Sequence, residues 1–156
     1  MENEVLARFV DPSRMRVEVT SGSGHVSAMD TGPEDGDDTA ASPMETMLGA
    51  LAACTAMDVA TILRKKRQHP ATYEIAARGE RSERHPQVYS RIVVEHRLTG
   101  ELSSEAVRRS VELSATKYCP VSAMLSRSVA IEHRFRIGGQ ESRLVAVTGP
   151  DGTRLG

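Results

Sequence analysis

Apolar and polar residues alternate in short runs over the first thirty positions of the chain. Residues 5–10, 15–19 and 25–29 read as three strands, separated by Asp11-Pro12 and by Ser21-Gly22-Ser23-Gly24. Over residues 30–41 the alternation stops. Gly32, Pro33 and Gly36 stand among Glu34, Asp35, Asp37 and Asp38, which is the composition of a solvated connector. Ser42-Pro43-Met44-Glu45 then opens a helix. Ser42 can cap it, Pro43 suits the first helical position, where its missing N–H costs nothing, and Glu45 completes a reciprocal cap. The spacing predicts a helix from Pro43 to about Lys66. Between Met47 and Leu63 it is apolar on nearly all sides, so burial on nearly every side is expected. Its end, Arg64-Lys65-Lys66-Arg67, places cations where the helix carbonyls are unpaired.

Two longer strands follow at 72–80 and 88–98, joined through Glu83-Arg84-His85-Pro86. A second helix is predicted over 103–117, with Ser103 or Ser104 as its cap. Tyr118-Cys119-Pro120 restarts a short helix at 121–126, and a last strand covers 128–137. Residues 138–156 form a Gly-rich tail whose 144–147 is either an edge strand or disordered. The order, strands in clusters with few crossovers, implies an α+β fold with antiparallel sheets and one domain over 1–137. Glu95-His96-Arg97 and Glu132-His133-Arg134 echo each other, which we take as strand patterning rather than a repeat.

A chain of 156 residues fits one domain. Its net charge of -1 and 3% aromatic content argue against nucleic-acid binding, which needs a basic surplus or stacking rings. No uninterrupted apolar run reaches about 18 residues, so no bilayer span is expected. The start, Met1-Glu2-Asn3-Glu4, is acidic where a signal peptide is basic, which points to the cytoplasm. With so few aromatic residues, the core must come from aliphatic side chains. That supply is thin for a helix needing cover all round, and a second copy of the chain is the expected source of the missing surface.

Candidate chemistry centres on Cys54 and Cys119. Cys54 sits mid-helix among alanines and by itself reads as a small buried hydrophobe. Cys119, before Pro120, is placed to cap the short helix; the helix dipole, with Lys117 nearby, predicts a lowered thiol pKa there. Two thiols that meet can reduce a peroxide. One attacks the O–O bond to become a sulfenic acid, and the other condenses with it to a disulfide. Such chemistry also needs a cation to hold the attacking sulfur anionic and a carboxylate to orient that cation; Arg14, Arg16 and Glu45 are the candidates. The histidines, His25, His69, His85, His96 and His133, lack the i, i+4 spacing of a helical metal site, so neither metal nor cofactor is expected.

Ser23-Gly24-His25, Met29-Asp30, Ser42-Pro43-Met44-Glu45, Ala53-Cys54-Thr55-Ala56-Met57-Asp58, Glu83-Arg84-His85-Pro86 and Thr116-Lys117-Tyr118-Cys119-Pro120-Val121-Ser122 together resemble the OsmC/Ohr family (osmotically induced protein C and organic hydroperoxide resistance). The resemblance covers about residues 4 to 137 and is nearest to the OsmC-like branch. It implies an intertwined homodimer with long central helices packed against curved antiparallel sheets and active sites at the subunit interface. The implied activity is a thiol peroxidase for organic hydroperoxides in oxidative or osmotic stress defence. Cys54 would attack, Cys119 would resolve, and a dithiol such as a lipoylated protein would be the reductant. This reverses the order that the dipole favours. Arg16, with Arg14 second, is the nearest match to the family's activating arginine, and Glu45 the nearest acid. Met44 stands where the well-characterised peroxidase branches carry glutamate. The competing expectation is therefore a non-catalytic protein of the same fold that binds a small apolar ligand.

Overall fold

In the computed structural model the described residues are 3–156; the acidic start at Met1-Glu2 lies outside them. The chain divides into two units, Met1–Met47 and Leu48–Gly156. The first contains an antiparallel sheet of β1 (Val5–Phe9), β2 (Val17–Ser21) and β3 (Val26–Met29), in that order. Its connector is tied down rather than simply solvated. Asp30, 1% exposed, accepts from the Thr31 amide at 2.8 Å and from the Thr39 amide and hydroxyl at 3.1 and 2.6 Å. Those bonds, the Thr39 hydroxyl first, hold the Asp30 carboxyl down at about 2.

Helix α1 (Pro43–Lys65) opens in this unit with the expected reciprocal cap. The Ser42 amide and hydroxyl donate to Glu45 Oε2 at 2.8 and 2.7 Å, and the Glu45 amide donates to Ser42 Oγ at 3.3 Å.

The second unit carries a five-stranded sheet ordered β4 (Thr72–Arg81), β5 (Tyr89–Thr99), β6 (Ala130–Ile137), β7 (Arg143–Gly149) and β8 (Gly152–Leu155). This sheet is mixed, not wholly antiparallel. Between β5 and β6 the chain runs through α2 (Ser104–Leu113), a π-helical turn (Ser114–Tyr118) and α3 (Pro120–Leu125), a crossover that returns β6 parallel to β5. The expected single helix over 103–117 therefore ends early and widens into the π-helical turn at Ser114. Residues 144–147 do form a strand, but an interior one. β7 pairs with β6 on one side and β8 on the other, so the tail closes the sheet as a hairpin.

One face of this sheet is apolar and meets the helices. Val59 and Leu63 of α1, Val107 and Val111 of α2, and Leu98, Phe135 and Val145 of the strands form the core. The other face is ionic: Arg91 bridges Glu80 and Glu132, and Arg97 pairs with Glu95 and Glu74. Both Glu-His-Arg triplets obey this alternation, with histidine inward and the charged neighbours outward.

Burial of α1 on nearly every side is not what a single chain provides. Only Leu51, Thr55, Val59 and Leu63, one residue per turn, are buried. Ala50, Ala53 and Thr61 are exposed and Met57 is 69% exposed. By length and composition α1 also meets the requirement for a bilayer span, because Thr46, Thr55 and Asp58 interrupt its apolar run without outweighing it. Its contacts, however, are those of a domain helix. One stripe enters the core, and Asp58 at its middle is hydrogen-bonded to Ser114.

Candidate active site

The second unit brings the two cysteines together. Cys54 projects from the middle of α1, half-buried, beside the fully buried stripe that anchors the helix. Cys119 lies between the π-helical turn and α3, 2% exposed. Its position follows from local chemistry. Pro120 suits the first helical position, and Cys119 Sγ caps the helix by accepting from the Ser122 amide at 3.4 Å. The Cys119 side chain is hydrogen-bonded to Cys54, and both sulfurs are free thiols.

The expected lowering of the Cys119 pKa is reversed. Burial pushes this thiol up to about 12, and the hydrogen bond to Cys54 together with the charges of Cys54 and Asp58 push the same way; only the Ser122 amide opposes them. A six-residue helix cannot outweigh desolvation of the sulfur. Within the pair, then, Cys119 is the thiol that holds its proton.

A polar cluster surrounds the thiols. Thr55 Oγ1 and Ser114 Oγ are 2.8 Å apart, and Ser114 Oγ donates to Asp58 Oδ2 at 3.1 Å. The Ser114 contact is made where α2 gives way to the π-helical turn, a distortion that often accompanies function. Beyond Asp58 a recess of about 280 Å³ runs between Thr61, Ile62 and Lys65 of α1 and Leu113 and Tyr118 opposite. Its walls suit a small organic molecule. Among the described residues no group of three or more His, Cys, Asp or Glu side chains is placed to hold a metal ion.

Residues 36–134, which include both cysteine motifs, match the family model described as OsmC-like protein. The chain belongs to the OsmC-like family. Protein YhfA of Escherichia coli K12 is 41% identical over 118 residues, 75% of this chain and 86% of that protein. A crystal structure of a hypothetical protein from Aquifex aeolicus superposes with a TM-score of 0.78 at 26% identity, covering 90% of this chain and 99% of that one. An organic hydroperoxide resistance protein from Elizabethkingia anophelis shares the fold, with a TM-score of 0.66 at 10% identity over 88% and 97% of the two chains.

Of the four site residues expected from the OsmC resemblance, Cys54 and Cys119 are in contact. Arg16 and Glu45 lie in the first unit. Arg16 donates to Thr39 Oγ1 and O at 2.7 and 3.2 Å, and Glu45 is engaged with Ser42. Arg14, the second choice, is bound to Asp37 at 2.8 Å. Sequence reasoning passed over Asp58, Ser114, Thr55 and Ser122. For Asp58 a signal was present: an acid one turn beyond a cysteine, in the apolar stretch between Met47 and Leu63. The other three are ordinary hydroxyl residues until the fold assembles them.

Proposed function

We propose that this OsmC-like protein is a thiol peroxidase for organic hydroperoxides. Cys54 attacks the O–O bond, releases an alcohol and becomes a sulfenic acid; Cys119 then condenses with it to a disulfide and water. The observation that carries this proposal is the contact between the two thiols, distant in sequence, with the proton residing on Cys119. The organic hydroperoxide resistance protein of the same fold and the adjoining organic-sized recess support it.

We assign activation of Cys54 to Arg16 and Glu45 on the family resemblance, reduction of the disulfide to a dithiol such as a lipoylated protein, and the working form to a homodimer. Two free thiols suit a reducing compartment, and we place the protein in the cytoplasm.

One equivalent of an organic hydroperoxide is expected to produce a Cys54–Cys119 disulfide within a subunit, detected by mass spectrometry of a non-reduced digest. Cys54→Ser should abolish peroxide consumption. Arg16→Ala should slow it by a factor of roughly ten or more, a cation beside a thiolate being worth at least that in reactivity. Unchanged turnover in Cys54→Ser would overturn Cys54 as the attacking thiol, whereas a wild type that consumes no peroxide would leave the ligand-binding alternative standing.

A further inference from the structure

Asp58 has no part in the two-thiol scheme, yet it stands inside the site. It lies one turn beyond Cys54 on the same side of α1, where side chains four residues apart are about 5–6 Å from each other at Cβ. Cys54 in turn is hydrogen-bonded to Cys119, and the Asp58 charge acts on that buried thiol. Ser114 fixes Oδ2 of the carboxylate at 3.1 Å, while Oδ1 has no hydrogen-bond donor among the described residues.

The second half of the proposed cycle needs such a group. A thiol that holds its proton is a poor nucleophile, and the hydroxide leaving a sulfenic acid must be protonated. We propose that Asp58 is the proton shuttle of disulfide closure. As Cys119 Sγ forms its bond to Cys54 Sγ, the Cys119 proton passes to Asp58. The S–O bond of the sulfenic acid breaks, and the departing hydroxide takes the same proton from Asp58 to leave as water. Cys119 sulfur is oxidised, Cys54 sulfur is reduced, and the carboxylate is regenerated. The shuttle rests on the two-thiol chemistry proposed above.

Other ionisable groups are less suited to the role. Lys65, at the far side of the recess, is a cation. The Tyr73 phenol is held protonated by burial and by the Asp58 charge itself. Tyr118, next to Cys119 in the chain, sits under the Lys117 ammonium, 5.4 Å from the ring centre. The His133 imidazole reaches the site only through the Ser122 hydroxyl, 3.4 Å away.

Closure can be measured without peroxide. Cys54 is loaded with dithiodipyridine, and attack by Cys119 on the mixed disulfide releases coloured thiopyridone. Between about pH 6 and pH 9 the wild-type closure rate should be flat, because the base is intramolecular. Asp58→Asn should slow closure roughly a hundredfold and make it rise about tenfold per pH unit. Asp58→Glu should restore much of the rate. The direction of change is decisive. If Asp58 acted only as a charge that keeps Cys119 protonated, Asp58→Asn would accelerate closure, and an equal or faster rate overturns the shuttle. Should the variant not fold, a wild-type rate rising tenfold per pH unit overturns it equally. A parallel assay of peroxide consumption by the wild type separates this outcome from a failure of the peroxidase proposal, since loading with a disulfide does not depend on it.

Discussion

His96 and His133 are the most completely buried titratable residues of the molecule, both at 0% exposure on the inner face of the sheet. His96 Nδ1 lies 2.6 Å from the Tyr73 hydroxyl, and His133 Nε2 lies 3.4 Å from the hydroxyls of Ser122 and Thr148; the remaining ring nitrogens have no partner among the described residues. Burial, joined for His96 by the charge of His133, lowers the two to about 3 and about 4. Both are therefore neutral in the folded chain and protonate first in the unfolded one, whose histidines titrate near about 6.5. The unfolded state binds more protons below that pH, so stability falls as pH drops from about 6.5 toward 4, by roughly 1.4 kcal/mol per pH unit for each histidine. Asp30 acts in a lower window: its contribution is complete above about pH 4 and is lost as pH falls toward 2. Urea midpoints at pH 7 and pH 5 should therefore differ clearly, and His133→Gln should shrink the difference by about half. Equal midpoints would mean that the imidazoles are not buried neutral.

Among the elements, α1 shows how local chemistry sets a boundary and tertiary contact sets a function. Its start is set by Ser42, Pro43 and Glu45, and the helix begins at Pro43 as the capping pattern predicts. Ser42→Ala should lower stability by about 1 kcal/mol in thermal melts. Glu45→Gln separates the two duties assigned to this residue. Glutamine can still close the cap, so stability should hold, while peroxide turnover should fall if the acid also supports Cys54. Where α2 ends was not legible in the same way. Residues 103–117 carry a continuous helical pattern, yet α2 stops at Leu113 and the π-helical turn begins at Ser114. Ser114 bonds to Thr55 and Asp58 there, partners from an element far away in sequence.

For the whole molecule, the exposed face of α1 is the main uncovered apolar surface. Ala50, Ala53, Met57 and Thr61 face outward on the helix richest in apolar residues, an arrangement a lone subunit leaves uncovered. A homodimer burying more than roughly 2,000 Å² would account for it. Met57→Glu tests this cleanly, since at 69% exposure the side chain has little to lose within one chain. Sedimentation should show the wild type as a dimer and Met57→Glu as a monomer or a weakened dimer. Ala53→Leu should cost about 1–3 kcal/mol by overpacking if backbones approach closely there. A wild-type protein that sediments as a folded monomer at micromolar concentration would remove the dimer.

Hydrophobic period, capping residues and turn composition are local properties, and they were enough to specify the α+β order of elements as far as β6, the bounds of α1, and two cysteine motifs that belong to the OsmC-like family, but not the closing β7–β8 hairpin. Pairing is not local. The same strand pattern suits a parallel or an antiparallel neighbour, and only the crossover through α2 and α3 makes β6 parallel to β5. The state of the thiols is likewise decided by what surrounds them. One-dimensional reasoning saw a helix N-terminus at Cys119 and expected a lowered pKa. In the fold, desolvation and the nearby Cys54 and Asp58 charges push it the other way, because in a site of low polarity burial and neighbouring charge exceed the dipole of a six-residue helix.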